Sequence, residues 1–146
     1  MIYSLLEDFL DTSVLGCWEK HLLHFKKIVG YSATGSIFLM SPESREHLVF
    51  YPSMPSNNAK NYGVFESLDD FRKDILEEPS FPEYCLYPIK PNDLDVLEAN
   101  LGPLEAEQIY YPKLDPALGG SLELDQFDKG NIWIRTEILG LNRGIE

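Results

Sequence analysis

The sequence predicts a single α+β domain, in which a mixed, mostly antiparallel sheet with a central hairpin is packed by several helices. Three observations support this fold class. The 146 residues are 44% hydrophobic and 25% charged, which suits one globular core over 1–146. Two apolar segments, 36–40 and 47–51, are joined by the polar turn SPESRE, as in a hairpin. The other segments show no βαβ repetition, which favours α+β over α/β.

Two helices are predicted before the hairpin. Apolar residues of 2–10 recur at steps of three and four with acidic residues between them, which is typical of an amphipathic helix. The segment 17–29 places Trp18, Leu22 and Phe25 on one stripe, and it predicts a second helix that ends at Gly30.

A loop and a capped helix are predicted after the hairpin. Prolines, serines and asparagines are concentrated in 52–63, so this segment is expected to form no strand. Ser67 and Asp70 resemble a capping box, and they predict a helix over 67–78 that Pro79 terminates.

The C-terminal half is predicted to alternate between extended and helical segments. Residues 81–91 are expected to be extended. Asn92 or Asp93 is expected to cap a short helix that Gly102 and Pro103 close. EQIYY, at 107–111, reads as a strand. The pattern in 121–141 fits a helical stripe and also a strand beginning near Gly130; a helix is preferred, and the alternative stays open.

The charge of the chain is strongly acidic and unevenly distributed. The formal net charge is −12. Residues 66–107 carry twelve Asp and Glu against three Lys and Arg, a local charge of −9, whereas 20–60 has five basic and two acidic residues, a local +3. Such a surface repels nucleic acid and anionic membrane and favours a basic partner.

The cysteine count and the apolar runs predict a cytoplasmic protein. Cys17 and Cys85 are too few for a disulfide framework, and no secretory leader pattern precedes the first acidic residues. The longest apolar runs fall far short of the roughly 20 residues of a membrane span.

Candidate catalytic and metal-binding sets are weak. Cys17, His21 and His24 share one face of the second predicted helix, a plausible zinc set, but no carboxylate base stands between the histidines. Cys85 lies among aromatic residues, where a buried thiol is inert, and nothing brings His47 to it. No cofactor is predicted, and the metal site stays open.

The glycines of GYSATG do not match a phosphate-binding loop. No Lys followed by Ser or Thr comes after Gly35, and the strand follows the glycine pair instead of preceding it. A turn with glycine at positive φ is therefore preferred.

The acidic half combines carboxylates with tyrosines. Aromatic anchors surrounded by charged residues are typical of a surface that binds another protein. The candidate partner-binding residues are Asp70, Asp74, Glu77, Glu78, Glu83, Tyr84, Tyr87, Asp93 and Asp95.

Several stretches resemble a known family. GYSATGSIFL, LGPLEAEQIY and ALGGS are the most specific pieces, and the match runs over 22–141. In this order they resemble the immunity proteins of bacterial type VI secretion that carry a GAD-like region and a short Tdi-type C-terminal domain.

The resemblance implies a cognate inhibitor that neutralises the effector of the producing cell, commonly a DNase, and implies no catalytic set. It gives no toxin-binding site. The motif residues that it implies to be fold residues are Gly30, Tyr31, Gly35, Gly102, Pro103, Gly119 and Gly120. Two alternatives stay open: a metal-dependent or other hydrolytic enzyme, and an adaptor domain of the same fold without a toxin.

Overall fold

The computed structural model describes residues 2–54, 56 and 58–145. Five antiparallel strands form one sheet in the order β1-β2-β3-β4-β5, and two antiparallel strands form a second sheet. The strands of the first sheet are β1 (Tyr3–Asp11), β2 (Lys27–Ser32), β3 (Ile37–Met40), β4 (Glu46–Phe50) and β5 (Ala59–Val64). The second sheet consists of β6 (Gln108–Pro112) and β7 (Phe127–Asn131).

Helical segments connect and cover the strands. The α-helices are α1 (Leu68–Phe71), which continues as a π-helical segment over Arg72–Leu76, α2 (Phe81–Cys85), α3 (Asp93–Leu101) and α4 (Ile132–Asn142). The 3₁₀ segments are Thr12–His21, Pro116–Leu118 and Leu124–Gln126. This mixture confirms the predicted α+β class and the mostly antiparallel sheet.

The central hairpin β3–β4 is covered on both faces, as its continuous apolar strands predict. Phe38 and Val49 pack into the cluster that also contains Phe71 of α1. Leu39 and Phe50 pack on the other face, in the cluster that contains Trp18. The sheet therefore separates two hydrophobic layers, and the helices after β5 cover one of them.

The predicted first helix is wrong, because residues 3–11 form the edge strand β1. Leu5 pairs with Gly30, Leu10 pairs with Ile28, and the register shifts between these two pairs. A shift of this kind changes which side chains face the core, so apolar residues in an irregular strand recur at steps other than two. The helical spacing of the segment comes from this irregularity.

The second predicted helix is wrong beyond His21. Residues 12–21 form a 3₁₀ segment, and the chain enters β2 at Lys27. Gly30 ends no helix but lies inside β2, where an added Cβ would stand 2.5 Å from the carbonyl oxygen of Ser4. Close approach of the β1 backbone therefore requires glycine here. Gly35 has φ +95° in the turn between β2 and β3, as predicted.

The segments after the hairpin include confirmed and wrong predictions. Ser67 Oγ accepts the Asp70 N–H at 3.1 Å, which confirms the N-cap of α1. α3 and its end at Gly102 (φ +84°) are also confirmed. In contrast, 59–64 forms β5 instead of a loop, and 81–85 is helical instead of extended. Of the predicted loop, Pro55 and Asn57 lie outside the described residues.

The ambiguous C-terminal segment contains both of the predicted structures. β7 is followed directly by α4, and Asn131 marks the boundary between them. Its Oδ1 accepts the N–H groups of Trp133 at 2.9 Å and Ile134 at 3.1 Å. An asparagine that caps the next helix thus ends the strand.

Candidate functional site

The predicted acidic surface is built on α1 and its π-helical extension. Phe71 and Leu76 are buried beneath it, so the intervening polar side chains face solvent. Capping by Ser67 and two acidic residues in the first turn suit the positive end of the helix. The segment therefore presents a row of carboxylates to solvent.

Some of these carboxylates are paired within the segment. Arg72 binds both Asp69 and Glu77, and Lys73 Nζ lies 3.1 Å from Asp69. The hydrogen bond from Arg72, followed by that from Lys73, lowers the pKa of Asp69. Glu77, a predicted partner-binding residue, is thus neutralised by its own chain.

Three other predicted carboxylates have no such compensation. Asp70, Asp74 and Glu78 are exposed, and none of them forms an ion pair with any residue in 2–54, 56 or 58–145. They carry the uncompensated negative charge of this surface.

A groove of about 400 Å³ lies beside these carboxylates. We call it the acidic groove; its lining residues are Tyr51, Met54, Lys60, Tyr62, Asp74, Ile75, Glu78, Ser80, Phe81 and Tyr84. Tyr51 and Phe81 are 6% and 3% exposed and form its buried part, whereas Tyr84 is 56% exposed. The acidic groove thus combines apolar aromatic surface with two free carboxylates.

One cation of the chain already lies on an aromatic ring of the acidic groove. Lys60 Nζ is 4.8 Å from the centroid of the Tyr62 ring, within the range of a cation–π contact. Burial, followed by the neighbouring Tyr62, raises the pKa of Tyr51, so this phenol stays neutral.

The structure brings together three of the nine predicted partner-binding residues in the acidic groove: Asp74, Glu78 and Tyr84. Glu83 and Asp95 are exposed on α2 and α3 without lining it. Asp93 accepts the backbone N–H of Lys90 at 3.0 Å. Tyr87 is half-buried and lines a different cavity.

Sequence reasoning missed the part of the acidic groove that comes from β5. The sequence predicts a loop for Lys60 and Tyr62 and therefore no shared strand face. In β5 a single residue lies between them, and alternate residues of a strand share one face. The alternation was the available signal, but the asparagines and glycine around it favoured a loop.

The candidate metal set Cys17, His21 and His24 does not share one helical face, because the 3₁₀ segment ends at His21. Cys17 Sγ donates to the Glu137 carbonyl at 3.7 Å, and His24 Nε2 lies 3.7 Å from a Glu46 carboxylate oxygen. Over the described ranges, no group of three or more His, Cys, Asp and Glu is placed to hold a metal ion.

The candidate thiol and histidine of a nucleophilic pair lie in apolar surroundings. Cys85 is fully buried, and burial raises its pKa to about 12. His47 packs against Phe65 and Phe71, and its Nδ1–H donates to the Arg45 carbonyl at 2.9 Å. Burial lowers the pKa of His47, so the ring is held neutral.

Comparison with known proteins shows a similarity in fold to a solved structure and no match to a known family. No family model and no curated protein matches this chain. The crystal structure of Atu4351 from Agrobacterium tumefaciens matches with a TM-score of 0.64 and 20% identity, covering 94% of this chain and 66% of that one. The chain thus spans slightly less than two thirds of the length of this neighbour. At such identity the likeness is one of fold alone.

One further property bears on location. Within the part of the chain that the structure describes, no helix has both the length and the apolar character needed to cross a membrane.

Proposed function

We propose that this protein is an immunity protein that acts in the cytoplasm, where it binds a cognate type VI secretion effector, a nuclease, and blocks its basic substrate-binding surface. In this proposal the protein is an inhibitor and not an enzyme, and it needs no cofactor. It contacts neither nucleic acid nor membrane directly. The sequence resemblance supplies the class of partner, and the acidic surface supplies the mode of binding.

The observation that carries the proposal is the position of the free carboxylates. Asp74 and Glu78 line the acidic groove without basic partners among the described residues, and Asp70 lies on the same short segment. A nuclease needs Lys and Arg to hold the phosphate backbone. A surface of opposite charge accelerates encounter with that patch and excludes the nucleic acid.

The aromatic side chains supply the second part of the binding. Tyr84 is exposed at the acidic groove, and tyrosines at interface centres bury large apolar area while keeping a polar tip. The contact of Lys60 with the Tyr62 ring shows that an aromatic ring of this groove can bind a cation. We expect an Arg or Lys of the effector to enter between Tyr84 and the two carboxylates.

The first experiment identifies the partner. The tagged protein is purified from its native host, and the captured proteins are tested for nuclease activity with and without it. The proposal expects a captured nuclease whose activity the purified protein inhibits. Capture of no nuclease, or capture of one that stays fully active, would contradict it.

The second experiment tests the binding surface with a charge-matched control. The variant Asp70→Lys, Asp74→Lys, Glu78→Lys reverses the surface. The control Asp8→Lys, Glu123→Lys, Asp125→Lys makes the same change of net charge at exposed positions outside the acidic groove. We expect at least about a hundredfold weaker effector binding for the first variant, since several interfacial charge pairs are lost, and a much smaller change for the control. Equal losses of effector affinity in the two variants would indicate that binding depends on the net charge of the protein and not on the acidic groove.

A further inference from the structure

A second cavity in the molecule has chemistry opposite to that of the acidic groove. It lies between α4, β6 and the segment after β4, and it shares no lining residue with the acidic groove. Its volume is about 50 Å³, room for a group of a few heavy atoms. Two arginines line it, Arg135 and Arg143.

All three side-chain nitrogens of Arg143 donate hydrogen bonds within the protein. Its Nε and Nη2 donate to the two Asp115 carboxylate oxygens at 3.1 and 2.9 Å. Its Nη1 and Nη2 also donate to the backbone carbonyls of Pro52, Ser53 and Met54. The one carboxylate that lines the cavity is therefore already neutralised by Arg143.

The charge of Arg135 helps to lower the pKa of Asp115, but Arg135 forms no ion pair among the described residues. Its guanidinium carbon lies 4.0 Å from the centroid of the Tyr111 ring. Its Nε is buried and has no hydrogen-bond acceptor, and no carboxylate among the described residues forms an ion pair with it. Stacking uses the face of a guanidinium and leaves the edge with the two terminal nitrogens, Nη1 and Nη2, for a planar two-oxygen acceptor.

The walls of the cavity indicate what kind of group the ligand carries beside its two oxygens. Ile109, Leu139 and Pro112 provide apolar surface next to Arg135 and Tyr111. One unpaired guanidinium balances a single negative charge, which suits a carboxylate better than a phosphate dianion. The small volume favours a ligand of a few heavy atoms.

We propose that this cavity binds a small free monocarboxylate, with its two oxygens on the Nη1–Nη2 edge of Arg135 and its short apolar substituent against Ile109 and Leu139. Tyr111 holds the guanidinium, and Gly130 makes room for the tyrosine, since an added Cβ would stand 3.2 Å from the ring. The proposal is independent of the immunity function.

The test uses propionate and isobutyrate as probes and the isosteric amides propionamide and isobutyramide as neutral controls. The chain has four arginines, so the Nε–H region of the NMR spectrum is simple, and single Arg→Gln variants assign it. We expect saturable shifts of the Arg135 Nε–H signal with a carboxylate and none with the matching amide.

The variant Arg135→Gln is expected to weaken carboxylate binding at least about tenfold, the loss of a charged hydrogen-bond pair, and Arg45→Gln to leave it unchanged. Equal shifts with carboxylate and amide, or no saturation of the wild-type Arg135 signal, would overturn the proposal. The wild-type titration decides the question even if Arg135→Gln does not fold. A saturable carboxylate shift confined to Arg45 or Arg72 would also refute it.

Discussion

Two arginine–carboxylate pairs in this molecule have nearly the same separation and opposite surroundings. Arg45 and Glu66 lie 2.8 Å apart with side chains 57% and 81% exposed, whereas Arg143 and Asp115 lie 2.9 Å apart with side chains 13% and 0% exposed. Exposed pairs contribute little because water and salt screen them, but a buried charge depends on its partner. Distance alone therefore does not identify the charges that the fold requires.

The same distinction separates the acidic groove from the second cavity. Asp115 is committed to the fold, because both of its oxygens accept hydrogen bonds from Arg143. Asp74 and Glu78 at the acidic groove are exposed and unpaired among the described residues, so the fold does not depend on them. Charges of the second kind are available to a partner, and substitutions there are expected to spare stability.

The largest expected effect is that of breaking the buried pair. Arg143→Met removes the hydrogen bonds to Asp115 and to the carbonyls of 52–54, and it leaves the Asp115 carboxylate buried without its ion-pair partner. We expect the free energy of unfolding to fall by about 3–5 kcal/mol. Urea denaturation measures this change. The control Arg45→Met breaks the exposed pair and should lose no more than about 1 kcal/mol; similar losses would refute the contrast.

The pH dependence of stability provides a second way to distinguish the buried pair from the exposed one. Burial alone raises the pKa of Asp115, but the hydrogen bonds from Arg143 and the Ala117 N–H, with the Arg143 charge, outweigh it and lower the pKa below 3.8. Its contribution to stability is therefore present above pH 3.8 and is lost as the pH falls through the folded-state value. We expect the wild type to lose stability on acidification below about pH 4 more steeply than Asp115→Asn. Parallel pH profiles from urea titrations would argue against this role.

A smaller effect is expected at the cap of the acidic segment. Ser67→Ala removes the acceptor of the Asp70 N–H, and we expect a loss of about 1 kcal/mol in the free energy of unfolding. Ser67→Asp keeps an acceptor and serves as the control. If Ser67→Ala were as stable as the wild type, the order of this surface would have to come from packing of Phe71 and Leu76 alone.

The smallest change in stability is expected at Arg72. Arg72→Gln releases Glu77 from its exposed pair, leaves Asp69 paired with Lys73 alone, and should change the free energy of unfolding by less than about 1 kcal/mol. It removes one positive charge and frees one carboxylate of the acidic surface, so association with a basic effector should become faster. Stopped-flow measurement at low salt checks the rate, and a slower association would contradict the assignment of this surface.

The sequence predicted elements whose signals are local and regular. The β3–β4 hairpin, the Ser67 cap and the end of α3 at Gly102 depend on neighbouring residues and were predicted correctly. β1 was predicted as a helix because the apolar spacing of this irregular edge strand resembles a helical one. The entry into β2 was predicted as a helix because Trp18, Leu22 and Phe25, which precede this strand, follow a helical spacing. Gly30 shows a requirement that no local pattern indicates: an added Cβ would stand 2.5 Å from the Ser4 carbonyl oxygen, which belongs to another strand.

The candidate site was predictable only in part for the same reason. Asp74, Glu78 and Tyr84 were found because they lie in one acidic stretch of the sequence. Tyr51 and Tyr62 join them through the pairing of β4 with β5, which no local pattern indicates. The free guanidinium of Arg135 likewise depends on a cavity assembled from β6, α4 and the segment after β4.

The most direct test of the acidic groove is the association rate with the captured effector, measured by stopped flow from low to high salt. The wild type should associate rapidly and slow steeply as salt is added, and the triple reversal at Asp70, Asp74 and Glu78 should associate slowly at every salt concentration. The charge-matched control at Asp8, Glu123 and Asp125 should stay close to the wild type. A triple reversal that retains the wild-type rate and salt dependence would contradict binding through this surface.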